Sequence, residues 1–293
     1  MIDTVIVTGA SGFLGSELLI CLKKTYPKAT IIPIVSPRQE KGIDLCDDNV
    51  VSQLNQTYDI PHPDNTLLIH AAAYMDWHSR EGIFKNVEMA TNIAEWAKSQ
   101  GIGFNIFVSS VSVYKQSEYA DHTTGCFPET YYGIGKLTSE HVWRMLLPEK
   151  NRSIIRFSGI WGWQRKPTLF WNKLLISAAT DSHNDSDLVI TRAGSKRNYI
   201  SYREASNCLI HIAKNRLHGT FLAAGKDMID TKTFIDYLNK QKDSKLSVVW
   251  NDDGHQDEIF FKPSDEILDC LHPFEDEMEY MWSQKPAWVD ETA

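Results

Sequence analysis

Near the start of the chain, three glycines spaced by three residues stand between an apolar run and a segment with helical periodicity. The run ends at Val7, the glycines are Gly9, Gly12 and Gly15, and Leu18 begins the periodic face. A buried strand, a glycine turn and a helix in this order predict a dinucleotide-binding turn, because residues without a Cβ let a pyrophosphate approach the free N–H groups of a helix N-terminus. Without these flanks, the glycines would indicate only an ordinary turn. The residues of the turn predicted to contact the cofactor are Gly9, Ser11, Gly12, Phe13, Leu14 and Gly15.

Predicted strands and helices alternate along the chain as far as about Gly162. This alternation is typical of an α/β protein with a doubly wound parallel sheet, the Rossmann architecture. The pattern then changes to an aromatic cluster, a polar segment over 181–187 that predicts a surface loop, and a charged C-terminal stretch. We therefore expect a dinucleotide-binding domain over residues 1–162, rejoined by about 198–225, and a small C-terminal substrate-binding lobe over 163–197 and 226–293.

The composition argues against several kinds of partner. The 293 residues carry a net charge of −8, which disfavours a nucleic acid or an anionic membrane surface. Five scattered cysteines have no metal-ligand spacing, so we expect neither a metal site nor a disulfide framework. No apolar run approaches the ~18 residues needed to cross a bilayer, and because the first predicted strand begins close to residue 1, we expect no leader segment. The expectation is a soluble, cytoplasmic protein that acts on a small molecule.

The second predicted strand, residues 30–35, bears on the choice of cofactor. Pro33 within it suits an exposed edge position better than a central one. Ser36 and Arg38 follow its carboxyl end, where an acidic residue usually meets the ribose 2′-hydroxyl of NAD. Because a guanidinium suits a 2′-phosphate, the segment favours NADP, with NAD as the alternative if Arg38 is only a solvated loop residue.

Three further residues have the chemistry of proton transfer. Tyr132 and Lys136 are four apart in a predicted helix, so their side chains share one face. A phenol has an unperturbed pKa of about 10, and a nearby ammonium would lower it toward neutral pH. Ser110 ends the preceding predicted strand, at the edge where parallel sheets bind ligands, so its hydroxyl can orient a substrate oxygen. Ser112 competes for this role, whereas strand alternation should turn Ser109 away.

Taken together, these motifs resemble the extended short-chain dehydrogenase/reductase family, also called the NAD-dependent epimerase/dehydratase family. The resemblance covers about residues 1–225 in the family's order and spacing, and nothing after Gly225 matches it. It implies a catalytic triad of Ser110, Tyr132 and Lys136, with Lys136 also holding the nicotinamide ribose, and a homodimer formed through two helices of the cofactor domain. The matching segments are 8–15, 44–47, 70–73, 86–92, 109–114, 132–136, 156–162 and 197–202.

The resemblance also implies roles for residues whose types alone say little. Arg197 matches an arginine that often contacts the diphosphate of nucleotide sugars, although a structural ion pair would explain it equally well. Trp77 and Ser112 become candidates for the substrate pocket, and we expect His70 to be a core residue rather than a base. The residues implied to contact the cofactor are Asp44 and Leu45 at the adenine, Ala71, Ala72 and Ala73 along its length, and Asn86 at the lysine end of the site.

Two departures from the family pattern restrict the expected reaction. Val111 and Ser112 occupy the positions of the acidic pair that family dehydratases carry after the catalytic hydroxyl residue, which argues against dehydration. Gly135 stands where serine is usual between Tyr132 and Lys136, at a cost of about 1 kcal/mol in helix propensity. The expected reaction is hydride transfer at a carbinol or keto carbon of a nucleotide-activated sugar, as net ketoreduction or as epimerisation.

Two alternatives stay open. The aromatic residues after Gly162 would fit a reductase of a non-sugar carbonyl compound, whereas a basic subsite would favour a diphosphate. A non-catalytic NADP-binding sensor is the second alternative, but it gives no reason for the presence of both Tyr132 and Lys136. The residues of the predicted basic subsite are Arg165, Lys166, Arg192, Lys196 and Arg197.

Overall fold

The computed structural model describes residues 2–115, 118–164, 167, 169–180, 188–190, 194–241, 246, 248–251 and 257–290. The predicted surface loop over 181–187 and three members of the predicted basic subsite, Arg165, Lys166 and Arg192, lie outside these ranges. The strands are β1 Thr4–Thr8, β2 Thr30–Ile34, β3 Thr66–His70, β4 Phe104–Ser110, β5 Tyr119–Ala120, β6 Arg152–Phe157, β7 Ile160–Trp161, β8 Leu188–Ile190, β9 Lys196–Arg197, β10 Ile200–Ser201, β11 Gly219–Ala223, β12 Ile229–Asp230, β13 Val248–Trp250 and β14 Glu258–Phe261. The helices are α1 Phe13–Thr25, α2 Val50–Thr57, α3 Glu81–Gln100, α4 Tyr131–Leu146, α5 Phe170–Ala179, α6 Tyr202–Asn215, α7 Thr231–Lys240, α8 Phe274–Ser283 and α9 Ala287–Asp290.

Six strands form one parallel sheet in the order β2-β1-β3-β4-β6-β11. The chain runs from β1 outward to β2 and then crosses to β3 on the other side of β1, so the winding reverses between β1 and β3. Ligands of open α/β sheets bind outside the carboxyl ends of the strands at such a point. The predicted doubly wound α/β fold is confirmed, and so is the edge position of Pro33, which is exposed on β2.

Helices cover both faces of this sheet because successive side chains of a strand point to opposite sides. Val5 and Val7 of β1 belong to one core with Leu18 of α1 and Leu209 of α6. Ile6, between the two valines, belongs instead to a core with residues of α2, α3 and α4. Among the described residues, no helix combines the length and the apolar character that crossing a membrane requires.

The carboxyl ends of β4 and β6 are set by what the chain does next. β4 ends at Ser110, because the Ser110 hydroxyl accepts the N–H of Ser112 and the chain enters a 3-10 turn over Val111–Val113. β6 lies within the large sheet, whereas β7, which follows it, pairs with β10 outside that sheet. In both cases the strand stops where the chain leaves the carboxyl edge of the sheet.

A second, aromatic core lies among the C-terminal elements. The Trp171 ring stacks on Phe234 with centroids 4.3 Å apart and meets Tyr199 edge-on at 4.5 Å. Trp161 and Trp163 are buried in the same core. Around it, β5, β9, β12 and β14 form a small four-stranded sheet. Along the chain, most of these elements follow the carboxyl ends of β6 and β11.

Candidate active site

The glycine turn after β1 is closed in a way that only glycine permits. Gly9 has a φ of 67°, and a Cβ there would lie 2.7 Å from the backbone nitrogen of Ala72. A Cβ on Gly15 would lie 2.2 Å from the carbonyl oxygen of Gly9. The turn itself is held by the N–H of Gly12, which donates to the Gly9 carbonyl at 2.9 Å. The first turn of α1 is therefore packed directly onto the ends of β1 and β3.

The N-terminus of α1 fits a bound pyrophosphate. Its N-cap residue is Gly12, no side chain among the described residues caps it, and the first turn contains no acidic residue. A helix start with uncapped N–H groups and a positive dipole end attracts phosphate. The carboxyl end of β2 lies beside it, since the Ser36 N–H is 3.4 Å from Ser11 Oγ. Arg38, which is exposed, follows, and its backbone N–H donates to Ser36 Oγ at 3.4 Å.

The floor beside this turn is formed by the small residues after β3. The Ala71 N–H donates to the Thr8 carbonyl at 3.3 Å and the Ala72 N–H to Thr8 Oγ1 at 3.2 Å, whereas Ala73 is exposed. Thr8 Oγ1 also lies 2.8 Å from Nδ1 of the buried His70. Burial, with the charge of Lys136, lowers the pKa of His70 to about 3. His70 is thus a neutral core residue that fixes the end of β1.

The residues predicted at the two ends of the cofactor have different surroundings. Asp44 is exposed, and its carboxylate accepts the Cys46 N–H at 3.0 Å. The Leu45 side chain is buried in the core beneath α2 and α3, so it faces the core and not the surface. The buried Asn86 amide donates to the Tyr74 carbonyl at 2.8 Å and accepts the Tyr74 N–H at 3.1 Å. The Asn86 side chain therefore fixes the loop after β3 by hydrogen bonds to the backbone of Tyr74.

The structure brings Ser110, Tyr132 and Trp77 together at the carboxyl end of β4. The Ser110 hydroxyl lies beside the Tyr132 phenol, where it favours the charged form of that phenol, and Ser110 Oγ lies 3.0 Å from Ser112 Oγ. The Trp77 ring covers Tyr132 with centroids 4.9 Å apart. Lys136 follows one turn later on α4, is 2% exposed, and its Nζ lies 4.6 Å from the Phe107 ring centroid.

Burial dominates the acid–base properties of this pair. It raises the pKa of Tyr132 well above its ordinary value, and the neighbouring Ser110 hydroxyl, which lowers this pKa, offsets only part of the rise. It lowers the pKa of Lys136 to about 7, against the opposing charge of Glu140. This differs from the expectation that Lys136 lowers the pKa of Tyr132, because burial weakens the ammonium that was to do so. A buried lysine whose pKa lies near 7 changes its protonation state readily when a hydroxyl group or a charge is brought beside it.

A buried charged network that sequence reasoning missed supports α4 from below. Glu140 is fully buried and accepts a hydrogen bond from the Ser109 hydroxyl at 2.6 Å. This bond also explains why Ser109 faces away from the site. Glu140 forms two hydrogen bonds with the Arg156 guanidinium, at 2.9 and 2.7 Å, and one with Arg144 at 3.0 Å. The spacing of Glu140, one turn after Lys136, was the only sequence signal for this role.

Close packing between helices explains the glycine that departs from the family pattern. A Cβ on Gly135 would lie 3.1 Å from the Gly82 carbonyl oxygen and 3.4 Å from Asn86 Cβ. Ser139, one turn later, donates to the Asn86 carbonyl at 3.1 Å. The absence of a side chain at Gly135 thus lets α4 approach α3 closely beside the site.

Arg197 lies in a different part of the same edge, on β9 at a cavity of about 310 Å³. Its Nη2 is 2.5 Å from Oδ2 of Asp257, so the structural ion pair that the sequence left open is present. The cavity also has walls of Trp171 and Tyr199. The Tyr199 ring packs just beyond β6, where a Cβ on Gly159 would lie 2.4 Å from it. The cavity therefore lies next to the chain that follows the carboxyl end of β6.

Comparison with known proteins agrees with this geometry. The model of the NAD-dependent epimerase/dehydratase family matches residues 5–223. An ADP-L-glycero-D-manno-heptose-6-epimerase of Alkalilimnicola ehrlichii is 25% identical over 171 residues, which cover 54% of this chain and 53% of that relative, so the match spans about half its length.

Two solved structures resemble the whole chain. The dTDP-4-dehydrorhamnose reductase of Bacillus anthracis, in complex with NADP, has a TM-score of 0.78 at 19% identity and covers 97% of this chain and 99% of its own. The UDP-glucuronic acid 4-epimerase of Bacillus cereus, in complex with NAD, has a TM-score of 0.75 at 19% identity, with 96% and 97% covered. At these identities the likeness establishes a shared fold.

Proposed function

Because the chain belongs to the NAD-dependent epimerase/dehydratase family, we propose that it is a hydride-transfer enzyme acting on a carbinol or keto carbon of a nucleotide-activated sugar. The observation that carries this proposal is the meeting of the Ser110 hydroxyl with the Tyr132 phenol at the carboxyl end of β4, beside the Trp77 ring, with Lys136 one turn further along α4. A non-catalytic sensor would have no use for this arrangement. Net ketoreduction is favoured slightly over epimerisation because the cofactor-binding edge favours NADP.

The residues present fit a bound dinucleotide. The uncapped start of α1 would hold the pyrophosphate, Ala71 and Ala72 would lie along the cofactor, and Lys136 would hold the nicotinamide ribose hydroxyls. Ser36 and Arg38 would meet a 2′-phosphate, which favours NADP, with NAD as the alternative. The two similar structures described above contain NADP and NAD respectively, so they support either dinucleotide.

The side chains of the site divide the proton chemistry between them. Ser110 orients the substrate oxygen by a hydrogen bond, and Tyr132 Oη donates a proton to that oxygen during reduction or accepts it during oxidation. The bound nicotinamide would supply or take the hydride. Trp77, whose ring packs at a tilt against Tyr132, shields the phenol from water. Dehydration is not proposed, because Val111 and Ser112 provide no acid or base beside Ser110.

The substrate class rests on the family and on the lobe that follows the sheet. We assign residues 163–197 and 226–293 to substrate binding, and residues 1–162 with about 198–225 to the cofactor. The relatives named above act on nucleotide-linked sugars, as their names state. A reductase of a non-sugar carbonyl compound remains the second candidate, because the cavity near Arg197 is largely aromatic and aliphatic.

We also propose a homodimer formed through α3 and α4. Ile134 and Met145, both exposed, are three helical turns apart on α4 and so lie on one side of it. Phe84, also on the exposed side of α3, adds to the apolar surface of this helix pair. A Met145→Glu variant should sediment as a monomer, and an unchanged dimer would refute this surface as the interface.

The test of the function is turnover by the Tyr132→Phe variant. NADPH binding, followed by nicotinamide fluorescence, should remain within about twofold of the wild type because the phenol oxygen is the only atom lost. Oxidation of NADPH with a panel of nucleotide-linked keto-sugars should fall by about 10²–10⁴-fold, the range of general acid–base catalysis. Equal turnover by the variant would refute the proposed role of Tyr132. Binding of NADPH without turnover of any substrate, in the wild type, would instead favour the sensor.

A further inference from the structure

The guanidinium of Arg197 is already engaged by groups of the chain itself. Nη2 lies 2.5 Å from the Asp257 carboxylate, and Nη1 donates to the carbonyls of Lys196 at 2.7 Å and Asp257 at 3.1 Å. The two side chains are 20% and 33% exposed, so water screens the pair only in part. A second anion that approaches Arg197 therefore meets the Asp257 carboxylate beside the guanidinium, and has to share or displace that ion pair.

Strand pairing fixes the backbone of Asp257, from which this carboxylate extends. The Asp257 carbonyl accepts the Lys196 N–H at 2.9 Å, and the next residue, Glu258, begins the pairing of β14 with β9. Release of Arg197 therefore requires rotation of the Asp257 side chain, without movement of the strand. Lys196 is neutralised in the same way by Glu258, at 2.8 Å, on the more exposed side of β9.

The cavity in front of this pair has the features of a ligand site. Its volume of about 310 Å³ is at the lower end of the range for small-molecule pockets. Trp171 and Tyr199 provide flat aromatic walls. Ser195 Oγ, which also faces the cavity, is buried and has no hydrogen-bond partner within the part of the chain that the structure describes. A buried hydroxyl without a partner is costly, and a ligand can satisfy it.

We infer that Asp257 is a specificity-determining residue whose carboxylate competes with the diphosphate of a nucleotide ligand for Arg197. This rests on the proposed function, since it requires that the cavity take the nucleotide part of the substrate. Asp257 selects against ligands whose affinity depends on the diphosphate, because they must overcome both a like charge and an existing ion pair. The cavity accordingly recognises the nucleoside part more than the diphosphate.

The experiment compares calorimetric titrations of UDP and dTDP with those of uridine and thymidine, in saturating NADPH so that the dinucleotide site is filled. In the wild type, the diphosphate should improve affinity over the nucleoside by less than tenfold. Asp257→Asn should bind the diphosphates at least tenfold more tightly than the wild type, with nucleoside affinity unchanged. Adding Arg197→Gln to Asp257→Asn should abolish that gain. Glu258→Gln is the matched control, because it removes the neighbouring carboxylate and frees Lys196, but both residues lie outside the cavity lining, so it should change neither affinity.

A gain of more than a hundredfold from the diphosphate in the wild type would overturn the inference without any variant. An unchanged or weaker diphosphate affinity in Asp257→Asn would also overturn it, provided that the melting temperature matches the wild type. If that variant does not fold, the wild-type comparison of diphosphate with nucleoside decides. NADPH affinity and Tyr132-dependent turnover are measured alongside, so that a failure of the proposed function appears there and not in the diphosphate titration.

Discussion

Replacing Glu140 by glutamine tests whether the buried network beneath α4 holds the fold together. The carboxylate accepts two hydrogen bonds from Arg156, which is 4% exposed, and one from Ser109. Glutamine has the same shape but one acceptor oxygen, and its NH₂ group would face the guanidinium. Removing one partner of a buried ion pair costs about 3–5 kcal/mol, because the other charge stays buried.

The size of the expected loss in unfolding free energy depends on which partners of Glu140 are buried. The pair with Arg156 supplies most of this cost, whereas the pair with Arg144, four residues away and partly exposed, contributes about 0.3–0.5 kcal/mol. We therefore expect Glu140→Gln to lose about 3–5 kcal/mol of unfolding free energy, and Arg144→Gln less than about 1 kcal/mol. Urea unfolding at pH 7 measures both, as a fall in the midpoint with an unchanged slope.

The pH dependence provides a second check on the same network. Burial alone would raise the pKa of Glu140, but the hydrogen bonds and charge of Arg156 outweigh it, so the pKa lies below its ordinary value of 4.5. The stabilisation is thus present above about pH 4.5 and is lost as the pH falls through the lower pKa of the folded state. A Glu140→Gln variant as stable as Arg144→Gln at pH 7 would refute this account of the network.

Three further changes probe the cofactor site and the lysine. Gly9→Ala should lower stability by more than about 1 kcal/mol and weaken NADPH binding, since its Cβ would collide with Ala72; thermal melts with and without NADPH measure both effects, and unchanged melts would contradict the geometry. Arg38→Ala should weaken NADPH binding by at least about tenfold, as expected of a charge-assisted bond worth about 1.5–3 kcal/mol, and leave NADH unchanged; equal losses for both would remove Arg38 from the 2′-phosphate site. Between about pH 7 and 10 the unfolded chain carries a proton on Lys136 that the folded chain lacks, so stability rises with pH over that window. Lys136→Met should flatten this rise in urea unfolding at pH 7, 8 and 9, and a slope equal to that of the wild type would contradict the lowered pKa.

Local signals explain why much of the site was predictable from the sequence. The glycine turn follows the end of β1, Ser110 ends β4, and the Tyr132–Lys136 pair lies at the start of α4, before β6. Parallel strands gather their carboxyl ends at one edge of the sheet. Only the rule for parallel sheets was needed to expect Ser110 near Tyr132. Strand ends were less predictable, because Ser110 stops β4 through a hydrogen bond of its own side chain, which apolar periodicity does not record.

The partners of the charged residues could not be predicted in the same way. Glu140 meets Arg156 only because α4 packs over β4 and β6, and the sequence does not state that those two strands are neighbours. Asp257 reaches Arg197 from 60 positions further along the chain, out of a stretch that matched no motif. Such pairs depend on the tertiary arrangement, and the burial that perturbs their pKa values depends on it as well.

The proline of β2 has a consequence for how copies of the protein meet in concentrated solution. The N–H of Thr30 and the carbonyl of Ile34 bond toward the β1 side, so the intervening odd-numbered residues direct their backbone groups outward. Pro33 has no N–H, so the exposed edge of β2 lacks one hydrogen-bond donor at this position. A foreign strand that tried to extend the sheet there would lose a ladder bond at its middle. The exposed edge of β2 is therefore a poor template for fibril growth, because Pro33 removes one of the hydrogen bonds that an added strand would need.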